Sequence, residues 1–209
     1  MKGKIKSYVI WGLFISALVS YLAVTWDAYN QVNRGEWNID FAPHFLASKI
    51  ISDGGNPYDL DQLRIQQRDA EVIGNFKTYV YMYPPTSLLF TYPLSHLGFV
   101  WASKFWVLLM SVFYLASVFL LVDFFLKSKK LQDKLLFSSA FLFYPPVFVN
   151  LLWGQINTLI LFLLTLTLTS VNREKPYLAG IFLGFSIAIK MTPALILVYF
   201  VFKKNRRVV

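Results

Sequence analysis

The chain has 209 residues, 56% of them hydrophobic and 18% aromatic, with a formal net charge of +9 from 20 lysines and arginines against 11 acids. A mean hydropathy of +0.52 exceeds what a soluble domain carries. The apolar residues gather into runs long enough to cross hydrocarbon, which excludes a soluble enzyme and predicts an integral membrane protein. Cysteine is absent, so disulfides and thiol chemistry are excluded.

In a soluble protein such a positive balance would suggest a nucleic-acid partner, but its distribution points elsewhere. Residues 27–79 hold eight of the eleven carboxylates (Asp27, Glu36, Asp40, Asp53, Asp59, Asp61, Asp69, Glu71) against five bases, a net of −3 that leaves +12 on the rest. Most of those remaining bases cluster beside apolar runs, at Lys2/Lys4/Lys6, Lys127/Lys129/Lys130/Lys134, Arg173/Lys175 and Lys203/Lys204/Arg206/Arg207. Basic residues at cytosolic boundaries are the positive-inside signature. The expectation is a multi-pass protein of a bacterial or archaeal cell membrane with a cytosolic N-terminus, surrounded by membrane lipids and with no nucleic-acid partner.

The first apolar run, residues 8–26, lacks a small-x-small cleavage site and predicts a retained outward span, although an uncleaved signal anchor has the same pattern. Residues 27–98 then form a large extracytosolic loop with juxtamembrane helices; 80–97 is apolar but interrupted by Pro84, Pro85 and Pro93, which disrupt a continuous helix. Further spans occupy 99–202. Residues 99–126 cross inward with Trp101 and Trp106 as interface anchors, 135–150 return outward, Gln155 sits at the outer turn, and 156–171 lead back to Arg173. The last stretch, 177–202, is long enough for one crossing, which would leave residues 203–207 outside against the charge rule. Lys190-Met191-Thr192-Pro193 offers the alternative, a break between two short helices lining a polar cavity. No sustained period-two alternation appears, so the fold class is all-α. A single multispan membrane domain, 1–209, is expected, with no strong internal repeat.

Candidate chemistry concentrates in a few places, each with a plain structural reading beside it. Asp40 precedes a helix start at Phe41-Ala42-Pro43-His44 and is either an N-cap or a general base at the membrane face. His44, one turn on, either shares that site or is a surface histidine. Gly54-Gly55-Asn56-Pro57-Tyr58 is a turn by its residue types, and Tyr83-Pro84-Pro85 a structural break that can contribute to a groove. Trp153-Gly154-Gln155-Ile156-Asn157 is either a polar turn with an interfacial tryptophan or an outer helix start whose Gln155 and Asn157 amides bind hydroxyls. Lys190, within an apolar stretch, either faces a cavity with an anionic partner such as a phosphate or snorkels to the interface. The sequence has no Gly-x-x-x-x-Gly-Lys loop and no paired-histidine motif, which disfavours a cytosolic nucleotide donor and predicts neither a metal nor another cofactor.

In order, Asp40-Phe41, Gly55-Asn56-Pro57-Tyr58, Tyr83-Pro84-Pro85, Tyr144-Pro145-Pro146 with Gly154-Gln155-Ile156-Asn157, and Ala179-Gly180-Ile181-Phe182-Leu183-Gly184 leading to Lys190-Met191-Thr192-Pro193 resemble the GT-C superfamily of membrane glycosyltransferases. The closest resemblance is to glycosyltransferase family 87, the bacterial alpha-mannosyltransferases. That resemblance implies a GT-C-like multispan helical bundle and inverting transfer of a hexose, typically mannose, from a polyprenyl-phosphate-sugar donor to a lipid or glycan acceptor on the extracytosolic face. It places Asp40 at the first-loop catalytic position as general base and Lys190 at the donor phosphate, with His44, Tyr83, Gln155 and Asn157 as substrate-binding candidates. The chain stops at a basic cluster directly after an apolar run, and family members are usually longer, which suggests the N-terminal part of the full fold. Rival readings are a transporter or lipid flippase component, in which Lys190, Gln155 and Asn157 would form a midplane path, and a noncatalytic subunit.

Overall fold

A computed structural model describes residues 2–34, 40–69, 81–127 and 129–202, with side chains from residue 4 onward. The basic cluster at 203–207 and the loop acids Glu36 and Glu71 lie outside the described residues. Among the described residues there are helices and no strands: α1 Lys2–Arg34, α2 Phe41–Ser52, α3 Leu60–Asp69, α4 Phe99–Leu126, α5 Leu131–Leu142, α6 Pro145–Leu152, α7 Asn157–Asn172, α8 Pro176–Ile189 and α9 Leu195–Phe202. Short 3₁₀ turns occupy Pro85–Leu89, Tyr92–His96 and Thr192–Ala194. Helices α1 and α4 are long and apolar enough to cross a bilayer, and α5 with α6 forms a third candidate span bent by 48°. The molecule is an all-α multi-pass membrane protein.

Several boundaries differ from the sequence expectation. Helix α1 does not stop at residue 26 but runs on to Arg34. Its polar extension is held by side chains one and two turns apart: Gln31 Nε2 donates to Asp27 Oδ2 at 2.7 Å and Arg34 Nη2 to Asp27 Oδ1 at 3.1 Å, while Ala28 and Val32 are buried on the core side. Within the span, Tyr21 and Ser111 share a 2.7 Å hydroxyl contact that Thr25 joins at 3.2 Å. This clasps α1 to α4, where a polar contact between membrane helices contributes on the order of 1 kcal/mol.

The expected outward span at 135–150 is instead broken at Phe143 and Tyr144, because Pro145 and Pro146 lack the N–H groups that would continue α5. Within the expected juxtamembrane segment, Pro85–Leu89 and Tyr92–His96 form two 3₁₀ turns, each with proline in its first positions. Trp101 is 65% exposed, whereas Trp106, also expected as an interface anchor, is fully buried: its Nε1 donates to the Gly154 carbonyl at 2.8 Å and its ring stacks on Phe41 at 5.1 Å. The last apolar stretch is broken. Helix α8 ends at Ile189, Lys190 is extended at φ −149 and ψ 127, and a 3₁₀ turn through Pro193 leads into α9.

The described residues between α1 and α4 are packed onto this framework. Helix α2 buries Phe41, Ala42, Phe45, Leu46, Ala47 and Ile50, a nearly complete circumference. Each large apolar side chain withdrawn from water contributes roughly 1.5–3 kcal/mol. Gly54 adopts the left-handed φ of 76°, and a Cβ on Gly55 would run into the Gln62 amide and the Ile50 side chain. The Asn56 side chain accepts from Tyr58 N at 3.1 Å, and Asp59 caps α3 by accepting from Asp61 N at 2.9 Å and Gln62 N at 3.2 Å.

Candidate active site

Lys190 sits at the α8 break because Pro193, three residues on, cannot supply a helical N–H and disfavours helix at Thr192. Its Nζ donates to Asn157 Oδ1 at 2.9 Å, and Asn157 Nδ2 in turn donates to Gln155 Oε1 at 2.7 Å. The two amides form a short relay that orients the ammonium. No ion pair to Lys190 occurs among the described residues, leaving its remaining N–H groups available to an anion. Beside this chain lies a cavity of about 540 Å³ whose lining includes Tyr144, Pro145, Pro146, Val149 and Leu161 along with Gln155 and Asn157. Its wall is mostly apolar, with polar groups from Gln155, Asn157, Asn150 and Thr158. That is the arrangement expected for an amphiphile with a long hydrocarbon portion and a polar head.

Tyr83 joins the loop to this position. Lys190 Nζ lies 5.8 Å from the centroid of its ring, and the Tyr58 hydroxyl donates to its carbonyl at 3.0 Å. The two motifs that carry these tyrosines, Asn56-Pro57-Tyr58 and Tyr83-Pro84-Pro85, are thereby joined. Thr86 donates its hydroxyl to the Ala188 carbonyl, which fastens the same segment to the end of α8. The Tyr83 phenol is pushed above its ordinary range, first by burial and then by the negative charge of Asp40. Asp40 and Lys190 thus both act on one ring without forming an ion pair.

Asp40 is half-buried at the start of α2, where its backbone N–H donates to the Trp153 carbonyl at 3.1 Å. The N-cap reading of its side chain does not hold: Asp40 has φ −100 and ψ −24 and makes no side-chain cap hydrogen bond. A cap residue usually adopts the extended region so that its carboxylate turns back onto the first helical N–H groups. Here the docking onto Trp153 sets a different backbone conformation, and among the described residues the carboxylate has no hydrogen-bond partner.

His44 is not a surface residue. It is 1% exposed, with its ring 4.4 Å from that of Tyr83, and its Nδ1 lies 3.0 Å from the Tyr81 hydroxyl, which also contacts Ser87. Its Nε2 has no hydrogen-bond partner among the described residues. Burial, and secondarily the Lys190 charge, hold the imidazole down to about 3 from an ordinary 6.5, so it is neutral. The sign of the consequence follows from linkage. Below pH 6.5 the unfolded chain binds a proton that the native imidazole refuses, so stability falls as pH drops from 6.5 towards 3 and is unaffected by this group above that window. Thermal unfolding of detergent-solubilised protein between pH 8 and pH 4.5 is expected to show a falling midpoint below 6.5, with a shallower fall in His44→Gln; equal slopes in the two proteins would contradict this.

The structure therefore brings Gln155, Asn157 and Lys190 into one hydrogen-bonded chain, and Lys190, Tyr83 and His44 into one stack of contacts. Asp40 approaches through Trp153 and the Tyr83 ring. Tyr58, Tyr81, Ser87 and Thr86 are the supporting residues that sequence reasoning missed. The proximity of Tyr58 to its own turn motif was visible, but nothing local indicated that its hydroxyl would meet a carbonyl 25 residues away. Among the described residues no group of three or more His, Cys, Asp or Glu side chains gathers to hold a metal ion.

These features define an all-α membrane protein with a polar and cationic site joined through Asn157 to a mostly apolar cavity. The chain belongs to glycosyltransferase family 87, whose profile matches residues 81–209. A polyprenol-phosphate-mannose-dependent alpha-(1-2)-phosphatidylinositol mannoside mannosyltransferase of Mycolicibacterium smegmatis is 37% identical over 67 residues, covering 32% of this chain and 14% of that relative. The protein of the same description from Mycobacterium tuberculosis is 35% identical over 74 residues, covering 35% of this chain and 17% of that relative. The matches thus span less than a fifth of the length of these curated relatives. No solved structure matches the chain. Tyr83, Gln155, Asn157 and Lys190 fall within the family-matched region, whereas Asp40 and His44 precede it.

Proposed function

We propose that the protein is a membrane glycosyltransferase that moves a hexose, mannose by likeness to the relatives above, from a polyprenyl-phosphate donor to a lipid or glycan acceptor on the extracytosolic face. The observation that carries this reading is the Lys190 ammonium, without a carboxylate partner among the described residues and oriented by Asn157, a residue that lines the mostly apolar cavity. In the reaction, Asp40 takes the proton of the acceptor hydroxyl, whose oxygen attacks the anomeric carbon as the bond from that carbon to the phosphate oxygen breaks. The polyprenyl phosphate leaves with the electron pair, and Lys190 stabilises the charge that develops there. Gln155 and Asn157 orient Lys190 and meet sugar hydroxyls, the isoprenoid chain occupies the apolar cavity, and His44 and Tyr83 complete the site beside Asp40. A phosphodiester carries one negative charge, which a single lysine can neutralise without a metal ion.

Purified protein in lipid nanodiscs, supplied with a total lipid extract of the source organism, tests this reading. Radiolabel is expected to pass to acceptor from polyprenyl-phosphate-mannose and not from a nucleotide-linked mannose. Transfer from the nucleotide donor alone, or from neither, would overturn it.

A further inference from the structure

Lysine has four rotatable side-chain bonds, and holding its ammonium in one arrangement requires more than a single hydrogen bond. Asn157 Oδ1 supplies one restraint on Lys190 and the Tyr83 ring, 5.8 Å from Nζ, supplies another. We propose that Tyr83 is a positioning residue whose ring face, and not its hydroxyl, holds the Lys190 ammonium in place for an anionic lipid headgroup. This rests on the donor reading of the site and gives Tyr83 a role other than gripping substrate itself.

Three observations beyond the contact support it. The ring is carried by a segment with little freedom: Tyr58 holds its carbonyl at 3.0 Å, Pro84 and Pro85 follow directly, and Thr86 is bonded to the carbonyl of Ala188, two residues before Lys190. Ring and ammonium are therefore mounted on elements tied to each other, so their spacing is set by the fold. The hydroxyl makes no hydrogen bond among the described residues, whereas the hydroxyl of neighbouring Tyr81 contacts both His44 and Ser87. Finally, the Tyr83 ring packs on His44 at 4.4 Å, and the buried imidazole is neutral. A second cation against the same ring would compete with Lys190 for its negative face; a neutral one does not.

The test uses the full chain in nanodiscs with isotope-labelled lysine, the Lys190 side-chain signal being assigned by its loss in Lys190→Met. In the wild type this signal is expected to be shifted upfield by the ring; Tyr83→Phe should keep the shift and Tyr83→Leu should abolish it. Titration with polyprenyl phosphate should then show Tyr83→Leu binding roughly three- to thirtyfold more weakly, the range that a cation over an aromatic face supports. Tyr83→Phe should restore most of that affinity, and Tyr83→Leu should add nothing in a Lys190→Met background, where a merely structural defect would still be felt. Where the leucine variant is not monodisperse, Tyr83→Met takes its place. An unchanged Lys190 signal in Tyr83→Leu, an equal loss in the Lys190→Met background, or a phenylalanine variant as impaired as the leucine one would overturn the proposal. Failure of the wild type to bind polyprenyl phosphate while the ring shift behaves as described would overturn the donor reading instead.

Discussion

Lys190→Met is expected to raise the donor concentration needed for half-maximal transfer by about 10²-fold, with the protein still inserted in the membrane. The magnitude follows from removing one member of a desolvated, hydrogen-bonded charge pair, a loss of roughly 2–5 kcal/mol that includes leaving the phosphate unpartnered. Methionine keeps most of the apolar length of lysine, so packing at the α8 break is retained. The extended backbone at Lys190 is set by Pro193 and its own N–H bond to the Ser186 carbonyl, at 3.1 Å, and not by the side chain. Asn157→Leu should produce a smaller change in the same parameter, because it removes the orientation of the ammonium but not its charge. Unaltered apparent donor affinity in Lys190→Met would remove phosphate binding from the role of this residue.

Much of the framework is written locally. The apolar runs, the break before Pro193 and the Gly-Gly turn each act through a few neighbouring residues, and each was legible. The bent α5/α6 pair was half legible: the prolines were visible, but the apolar composition on both sides suggested continuity. The extension of α1 to Arg34 was not foreseen, since Asp27, Gln31 and Arg34 resemble loop residues in a linear reading and become a helix-stabilising set only at helical spacing.

The site resisted reading where long-range packing decides. Asp40 and Asp59 both precede helices and carry the same cap signal, yet only Asp59 caps, because Asp40 is held through its backbone by Trp153, a partner more than a hundred residues away. His44 lies on a helix buried nearly all round, and a helix with that pattern gives no indication of which polar side chain is covered. Its stack with Tyr83 and Lys190 joins three separate parts of the chain. The individual residues were candidates by their chemistry, whereas their association depended on the tertiary fold.

Asp40→Asn is expected to lower the transfer rate at saturating donor by roughly 10²–10⁴-fold, the effect of losing a positioned general base. Asparagine matches aspartate in size and cannot accept the proton. The substitution leaves the backbone N–H bond to Trp153 intact, and since the Asp40 carboxylate makes no cap bond, α2 should keep its stability. The contrast with other loop acids sharpens the expectation. Asp59→Asn alters a cap, worth about 1 kcal/mol or less when the replacement itself caps, and Asp53→Asn alters a surface contact to Gln66 at 2.9 Å; both should transfer sugar at close to the wild-type rate.

The most direct measurement is therefore the rate of mannose transfer from polyprenyl-phosphate-mannose at saturating donor, compared between wild type and Asp40→Asn in folded, membrane-inserted protein. A fall of at least about 10²-fold, with donor binding retained, is the result predicted for a general base at this position. Transfer by Asp40→Asn at the wild-type rate would contradict it and move the proton-accepting role to another carboxylate.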